Sequence, residues 1–167
     1  MPSYRAPVKD TLFVLQSVCK LDAHSNLPGF ADATPDVVQA VVEEGGKFCE
    51  GVLAPINHSG DLQGCTRHAD GSVTTPDGFK AAYDAFVEGG WGTLMAPSEY
   101  GGQGMPHIIG TVFQEFSASA NMAFAMYPGL NEGAQAAIMA VGSPELKERF
   151  LPNMVHGRWT GTMNLTE

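Results

Sequence analysis

The sequence predicts an all-α fold, a bundle of about six helices, and three observations predict it. Thr34-Pro35-Asp36, Thr75-Pro76-Asp77 and Ser143-Pro144-Glu145 repeat one helix-start pattern. Apolar residues recur at three- and four-residue spacing through most of the chain. The one segment that reads as extended, Trp159 to Glu167, arrives last and has no second strand to pair with. A lone strand is not stable. The expectation is therefore the helical front of a longer protein, ending in the first strand of a missing β domain.

The helix starts have a common physical basis. In each, a hydroxyl at the N-cap accepts a bond from an orphan amide, and proline at the first helical position has no amide to lose. An acid in the first turn then meets the positive end of the helix.

In chain order, Val8, Leu12, Leu15 and Cys19 predict a short amphipathic helix, and 26–33 reads as a connector. Val37, Val38, Val41, Val42, Phe48, Cys49, Val52 and Leu53 predict a helix from Pro35 to about Ala54-Pro55. Gly45-Gly46 weakens that helix and permits a close crossing. Asn57 to Thr75 is polar and Gly-rich and reads as a surface excursion. Phe79, Tyr83, Phe86 and Val87 give the next helical face, closed by Gly89-Gly90. Two further helices fit Pro106–Ser119 and about Leu130–Val141, and a last one carries Leu146, Phe150 and Met154 to about His156-Gly157.

With 44% hydrophobic and 16% charged residues, the chain of 167 residues has the composition of one globular domain. Its formal charge of −9 and lack of a Lys/Arg run exclude a phosphate-neutralising nucleic-acid surface. No stretch approaches the roughly 20 apolar residues of a membrane span. The N-terminal residues carry no apolar signal region, so a cytoplasmic protein is expected. The cysteines, Cys19, Cys49 and Cys65, are an odd count without a close pair, and reduced thiols are the simplest expectation. Cys65 and His68, with His58 nearby, do not match a zinc spacing, and no metal is expected.

Two segments invite a chemical interpretation. Gly101-Gly102-Gln103-Gly104 lacks the Gly-Lys-Ser/Thr of a P-loop and the preceding strand of a dinucleotide fingerprint, so taken alone it reads as a tight turn. Ser117 to Leu130 is rich in small residues and Met and nearly free of charge. Taken alone it is a buried helix junction, but small residues also leave room for a ligand and Met adapts to a flexible apolar one. The five histidines are scattered, and no Ser/His/Asp or Cys/His triad can be assembled by spacing.

Read together, three segments carry a resemblance. Ala96-Pro-Ser-Glu-Tyr-Gly-Gly-Gln-Gly-Met105 resembles the aPeeyGGqGl segment of the acyl-CoA dehydrogenase family. Gly142-Ser-Pro-Glu-Leu-Lys-Glu-Arg-Phe-Leu-Pro152 resembles that family's G-t-e-e-q-K-to-y-L-P helix. Gly157 to Glu167 is similar to its G-e-w segment ending in T-E. The three occur in family order, and the resemblance covers roughly Pro35 to Glu167. Tyr4-Arg-Ala-Pro7 and Leu27 to Pro35 look like the N-terminal extension of a larger bacterial subgroup, one that includes enzymes acting on 3-methylmercaptopropionyl-CoA.

The resemblance implies an N-terminal extension over 1–33, a helical N-terminal domain over 34–157 and the start of a β middle domain over 158–167. It implies FAD, a CoA thioester substrate, α,β-dehydrogenation, an electron-transfer flavoprotein as partner and a homo-oligomer at full length. The flavin-contacting strand maps onto Met163, Asn164, Leu165 and Thr166, although the family often has an aromatic at position 163. The acyl-pocket wall maps onto Ala123, Met126, Tyr127 and Leu130. The family's catalytic glutamate belongs to its C-terminal domain, so no catalytic residue is expected in this chain. The chain alone is expected to be inactive, with FAD absent or weakly bound. The alternative is a helical module that binds an acyl chain or a protein partner without redox chemistry.

Overall fold

Helix α1, Val8–Phe13, continues into a π-helical turn at Val14–Val18, whose Leu15 is buried. The structure is a computed structural model and describes residues 4–162. Helix α2, Pro35–Phe48, begins as its pattern predicts: the Thr34 hydroxyl accepts from the Val37 amide at 3.5 Å. Its two glycines are buried, and a Cβ on Gly46 would lie 2.9 Å from Val8 Cγ2, so the α1–α2 crossing requires glycine there.

This helix does not stop at Ala54-Pro55. A π turn at Cys49–Leu53 leads into α3, Ala54–Gln63. A proline ring collides with the carbonyl four residues back in an α-helix. Here the Ala54 amide reaches back to Cys49, five residues away, and the widened turn carries the rod past Pro55. The expected excursion over Asn57–Thr75 is thus helical to Gln63. It then forms a small hairpin, β1 Thr66–Arg67 paired antiparallel with β2 Val73–Thr74.

Helix α4, Phe79–Glu88, starts later than Thr75-Pro76 predicts. Gly78, at φ +86°, occupies the N-cap position without a side-chain cap. The Asp77 amide instead donates to the Gln63 side chain at 2.9 Å, which ties this turn to the end of α3. Helix α5 is His107–Ala120. Helix α6 is Met122–Val141, and α7 is Pro144–Val155 with Ser143 as N-cap, its hydroxyl accepting from the Leu146 amide. Counting α2, the π turn and α3 as one rod, the described residues form six helical rods, the architecture the sequence predicts.

Helix α5 sits at the centre, against α2, α6 and the second π turn. Its Ile109, Phe113 and Phe116 are buried with Leu53, Phe86 and Phe124. Trp91 stacks on Phe113 with ring centroids 4.5 Å apart. Each such side chain contributes about 1.5–3 kcal/mol by leaving water, so this cluster sets the frame on which α6 is held.

Candidate functional site

The predicted junction at 117–130 is nearly all helix. One residue, Asn121, breaks it. With φ −159° and ψ 90° it is extended, and its Oδ1 accepts from the Phe124 amide at 3.0 Å to open α6. Pro128 lies inside α6, where its missing N–H costs the bond to the Phe124 carbonyl. Met, Ala, Tyr and Leu are good or tolerable helix formers, and they carry the helix through that defect.

Ala123, Met126, Tyr127 and Leu130 therefore share one stripe of α6, about 100° wide at 3.6 residues per turn. Only part of it faces a cavity. Ala123 and Tyr127 line an open, mainly apolar groove of about 1050 Å³ between α3, the start of α4 and the start of α6, with Met122, Phe124 and Phe79. His58, Asp61, Cys65 and Lys80 also line it and supply polar groups. Met126, 58% exposed, and the half-buried Leu130 do not line the groove.

The C-terminal half of the same stripe holds the chain that leaves α7. Asn131 is only 8% exposed. Its Nδ2 donates to the Met154 carbonyl at 3.1 Å, and its Oδ1 accepts from the Gly161 amide at 2.9 Å. Tyr127 donates its hydroxyl to Thr160 Oγ1 at 3.0 Å, and Tyr83 donates to the Gly157 carbonyl at 3.1 Å. The two tyrosine rings meet edge to face, 5.3 Å apart. Burial, then the neighbouring Tyr127, pushes the Tyr83 hydroxyl pKa up. Met163, Asn164, Leu165 and Thr166, predicted to contact the flavin, lie outside the described residues.

Beneath this clasp is a smaller cavity of about 100 Å³, lined in part by Tyr83, Asn131, Glu132 and His156. Burial raises the pKa of Glu132, opposed by a hydrogen bond from Gln114 Nε2 and by the charge of His107.

The Gly-rich loop is a turn and no cradle. The amides of Gly101, Gly102, Gln103, Gly104 and Met105 all donate to backbone carbonyls of residues 93–98. Gln103 Nε2 closes the loop onto the Gly90 carbonyl and Thr93 Oγ1. A Cβ on Gly102 would collide with the Ala96 carbonyl. These loop amides are thus not free to cradle a dinucleotide pyrophosphate. Among them, no group of three His, Cys, Asp or Glu side chains comes together as a metal site. Cys49 is buried, Cys19 half-buried and Cys65 exposed, all as free thiols.

The family description "Acyl-CoA dehydrogenase, N-terminal domain" matches residues 37–158. The chain belongs to the acyl-CoA dehydrogenase family. It is 39% identical over 165 residues to the 3-methylmercaptopropionyl-CoA dehydrogenase of Ruegeria pomeroyi, a match covering 99% of this chain and 28% of that protein. It is 34% identical over 156 residues to a butyryl-CoA dehydrogenase of Syntrophomonas wolfei, covering 92% and 24%. The chain thus spans about a quarter of the length of these relatives. A solved structure titled for the electron transferring flavoprotein of Acidaminococcus fermentans shares the fold, with TM-score 0.62 and 20% identity over 78% of this chain and 31% of that one.

In this member of the family, no described helix is long and apolar enough to cross a membrane. The buried amides Asn121 and Asn131 and the hydroxyl of Tyr83 were not singled out by pattern. One signal was available for Asn131: it and Gln135 are two amides one helical turn apart in an otherwise largely apolar and small-residue helix.

Proposed function

We propose that the whole protein is an FAD-dependent acyl-CoA dehydrogenase acting on a CoA thioester, with this chain as its helical N-terminal part. One observation carries the proposal beyond family membership: a single stripe of α6 opens onto an apolar groove at Ala123 and Tyr127 and holds the exit segment at Asn131. An acyl chain in that groove would lie along Ala123 and Tyr127, and Met126 and Leu130 would extend the same uncharged stripe beyond it. Such a wall excludes water and strengthens any polarisation of the thioester carbonyl beside it.

FAD, when bound, supplies the acceptor for the hydride leaving the β-carbon. On this chain, Met163, Asn164, Leu165 and Thr166 would contact it. The Gly-loop amides, engaged internally, would not serve the pyrophosphate, and the family resemblance would place the catalytic base outside this chain. The chain alone is accordingly inactive and holds FAD weakly at best. Residues 1–33 would form an extension, 34–157 the helical domain and 158–167 the lead into a β domain. The working form would be a cytoplasmic homo-oligomer passing electrons to an electron-transfer flavoprotein.

The visible spectrum of the full-length protein tests this. A flavin spectrum that bleaches on anaerobic addition of an acyl-CoA thioester is expected. A protein that stays colourless with added FAD would overturn it and favour a helical module that binds an apolar ligand in the groove without redox chemistry.

A further inference from the structure

The clamp at Asn131 has a chemistry that only an amide satisfies. Its NH2 faces a carbonyl at the end of α7, one of the last-turn acceptors that a helix leaves without an intrahelical partner. Its oxygen faces the Gly161 amide, which lies in a segment without regular structure. Flipping the side chain would set donor against donor and acceptor against acceptor, so the orientation is fixed by its two partners. The site is nine-tenths buried, where an unmade hydrogen bond is expensive.

Two further contacts hold the same segment on the same stripe of α6. Tyr127 reaches Thr160, four residues before the clamp. Three residues after it, Ala134 lies so near Gly161 that a Cβ there would approach within 2.5 Å of the alanine methyl. Residues 127, 131 and 134 thus form a seat, and Gly161 fits it because it has no side chain. The chain reaches Met163 two residues later.

Resting on the dehydrogenase assignment above, we propose that Asn131 is a positioning residue for the flavin. By holding the Gly161 amide against α6 and α7, it sets where the chain departs into Met163–Thr166. Both of its hydrogen-bond partners are backbone groups, so it acts through the backbone it holds.

The test uses the full-length protein with Asn131→Ala and, as a fold-safe partner, Thr160→Val. Thr160 is exposed, and its change removes only the acceptor for Tyr127. Three quantities are read: amide hydrogen exchange over 157–162, the FAD dissociation constant, and the position of the visible flavin bands. In Asn131→Ala, faster exchange, a shifted flavin spectrum and FAD binding weakened roughly 5- to 30-fold are expected, for two lost buried hydrogen bonds. In Thr160→Val the same changes are expected with roughly fivefold weaker FAD binding at most. Folded variants with native exchange and native flavin affinity would overturn the role of Asn131 while leaving the dehydrogenase assignment intact. A wild-type protein that binds no flavin would overturn that assignment, and the positioning role with it.

Discussion

Asn121 and Leu53, 68 residues apart in sequence, are joined by a buried hydrogen bond: the Asn121 Nδ2 donates to the Leu53 carbonyl at 3.2 Å. The same amide caps α6 through its oxygen. One side chain thereby fixes the start of α6 against the π turn that leads into α3, and α3 and the start of α6 both line the groove.

Asn121→Ala is therefore expected to cost about 2–4 kcal/mol, combining a lost cap with an unsatisfied buried carbonyl. Asn121→Ser keeps a cap acceptor and should lose less. Denaturant unfolding of the two variants checks both the size and the order.

Gly102→Ala tests the turn. Its Cβ would meet backbone at Ala96, which cannot swing aside as a side-chain tip could. A loss of about 1–3 kcal/mol is expected from the forced backbone shift. A thermal melt unchanged within error would show that the loop relaxes freely.

Ala123→Trp tests the groove. Ala123 is exposed, so a larger side chain should fill the space without disturbing the core. In the full-length enzyme, KM for acyl-CoA thioesters should rise about tenfold, the worth of one lost apolar contact of roughly 1–2 kcal/mol, with the flavin spectrum unchanged. An unaltered KM across chain lengths would place the acyl chain elsewhere.

Glu132 gives a pH prediction with a definite sign. Burial raises its folded-state pKa above the ordinary carboxylate value it has when unfolded. Between those two values the folded protein holds a proton that the unfolded chain has released, so stability falls as pH rises through that interval. The penalty is then constant above it. Glu132→Gln, which still offers an oxygen to Gln114, should be more stable than wild type at neutral pH, and the gap should close below the ordinary carboxylate range. A gap independent of pH would remove the titration as its cause.

The thiols should separate by reactivity. Burial, then the Glu50 charge, pushes the Cys49 thiol up to about 12, whereas Cys65 is exposed. Brief alkylation of the native protein at mildly alkaline pH, read by mass spectrometry, should label Cys65 and spare Cys49, because the thiolate is the reactive form. Rapid labelling of Cys49 would indicate that the second π turn opens readily.

The helical architecture was legible because apolar spacing and two of three N-caps behaved as local physics dictates: Thr34 and Ser143 cap, and α5 and α7 lie close to their predicted spans. Where proline decided the boundary, local rules failed. The first long helix was expected to end at about Ala54-Pro55 and a later one to begin only at about Leu130, yet the helix persists around Pro55 and Pro128, through a π turn in one case and a single missing bond in the other. Thr75 failed as a cap because Gly78 and Gln63 satisfied that turn by contacts distant in sequence. In the candidate site, the α6 stripe followed from spacing once the helix was known to begin at Met122. The separation of Ala123 and Tyr127 from Met126 and Leu130 did not, since it depends on how α3 and the start of α4 pack beside α6. The clamp was invisible for the same reason: a buried asparagine declares its partners only after the fold brings them to it.

The backbone amides of the turn at 101–104 all donate to backbone carbonyls of residues 93–98. A motif of that kind preserves a shape and is indifferent to the ligand. The turn therefore speaks for the scaffold alone, and the substrate reading proposed above stands instead on the groove beside α6.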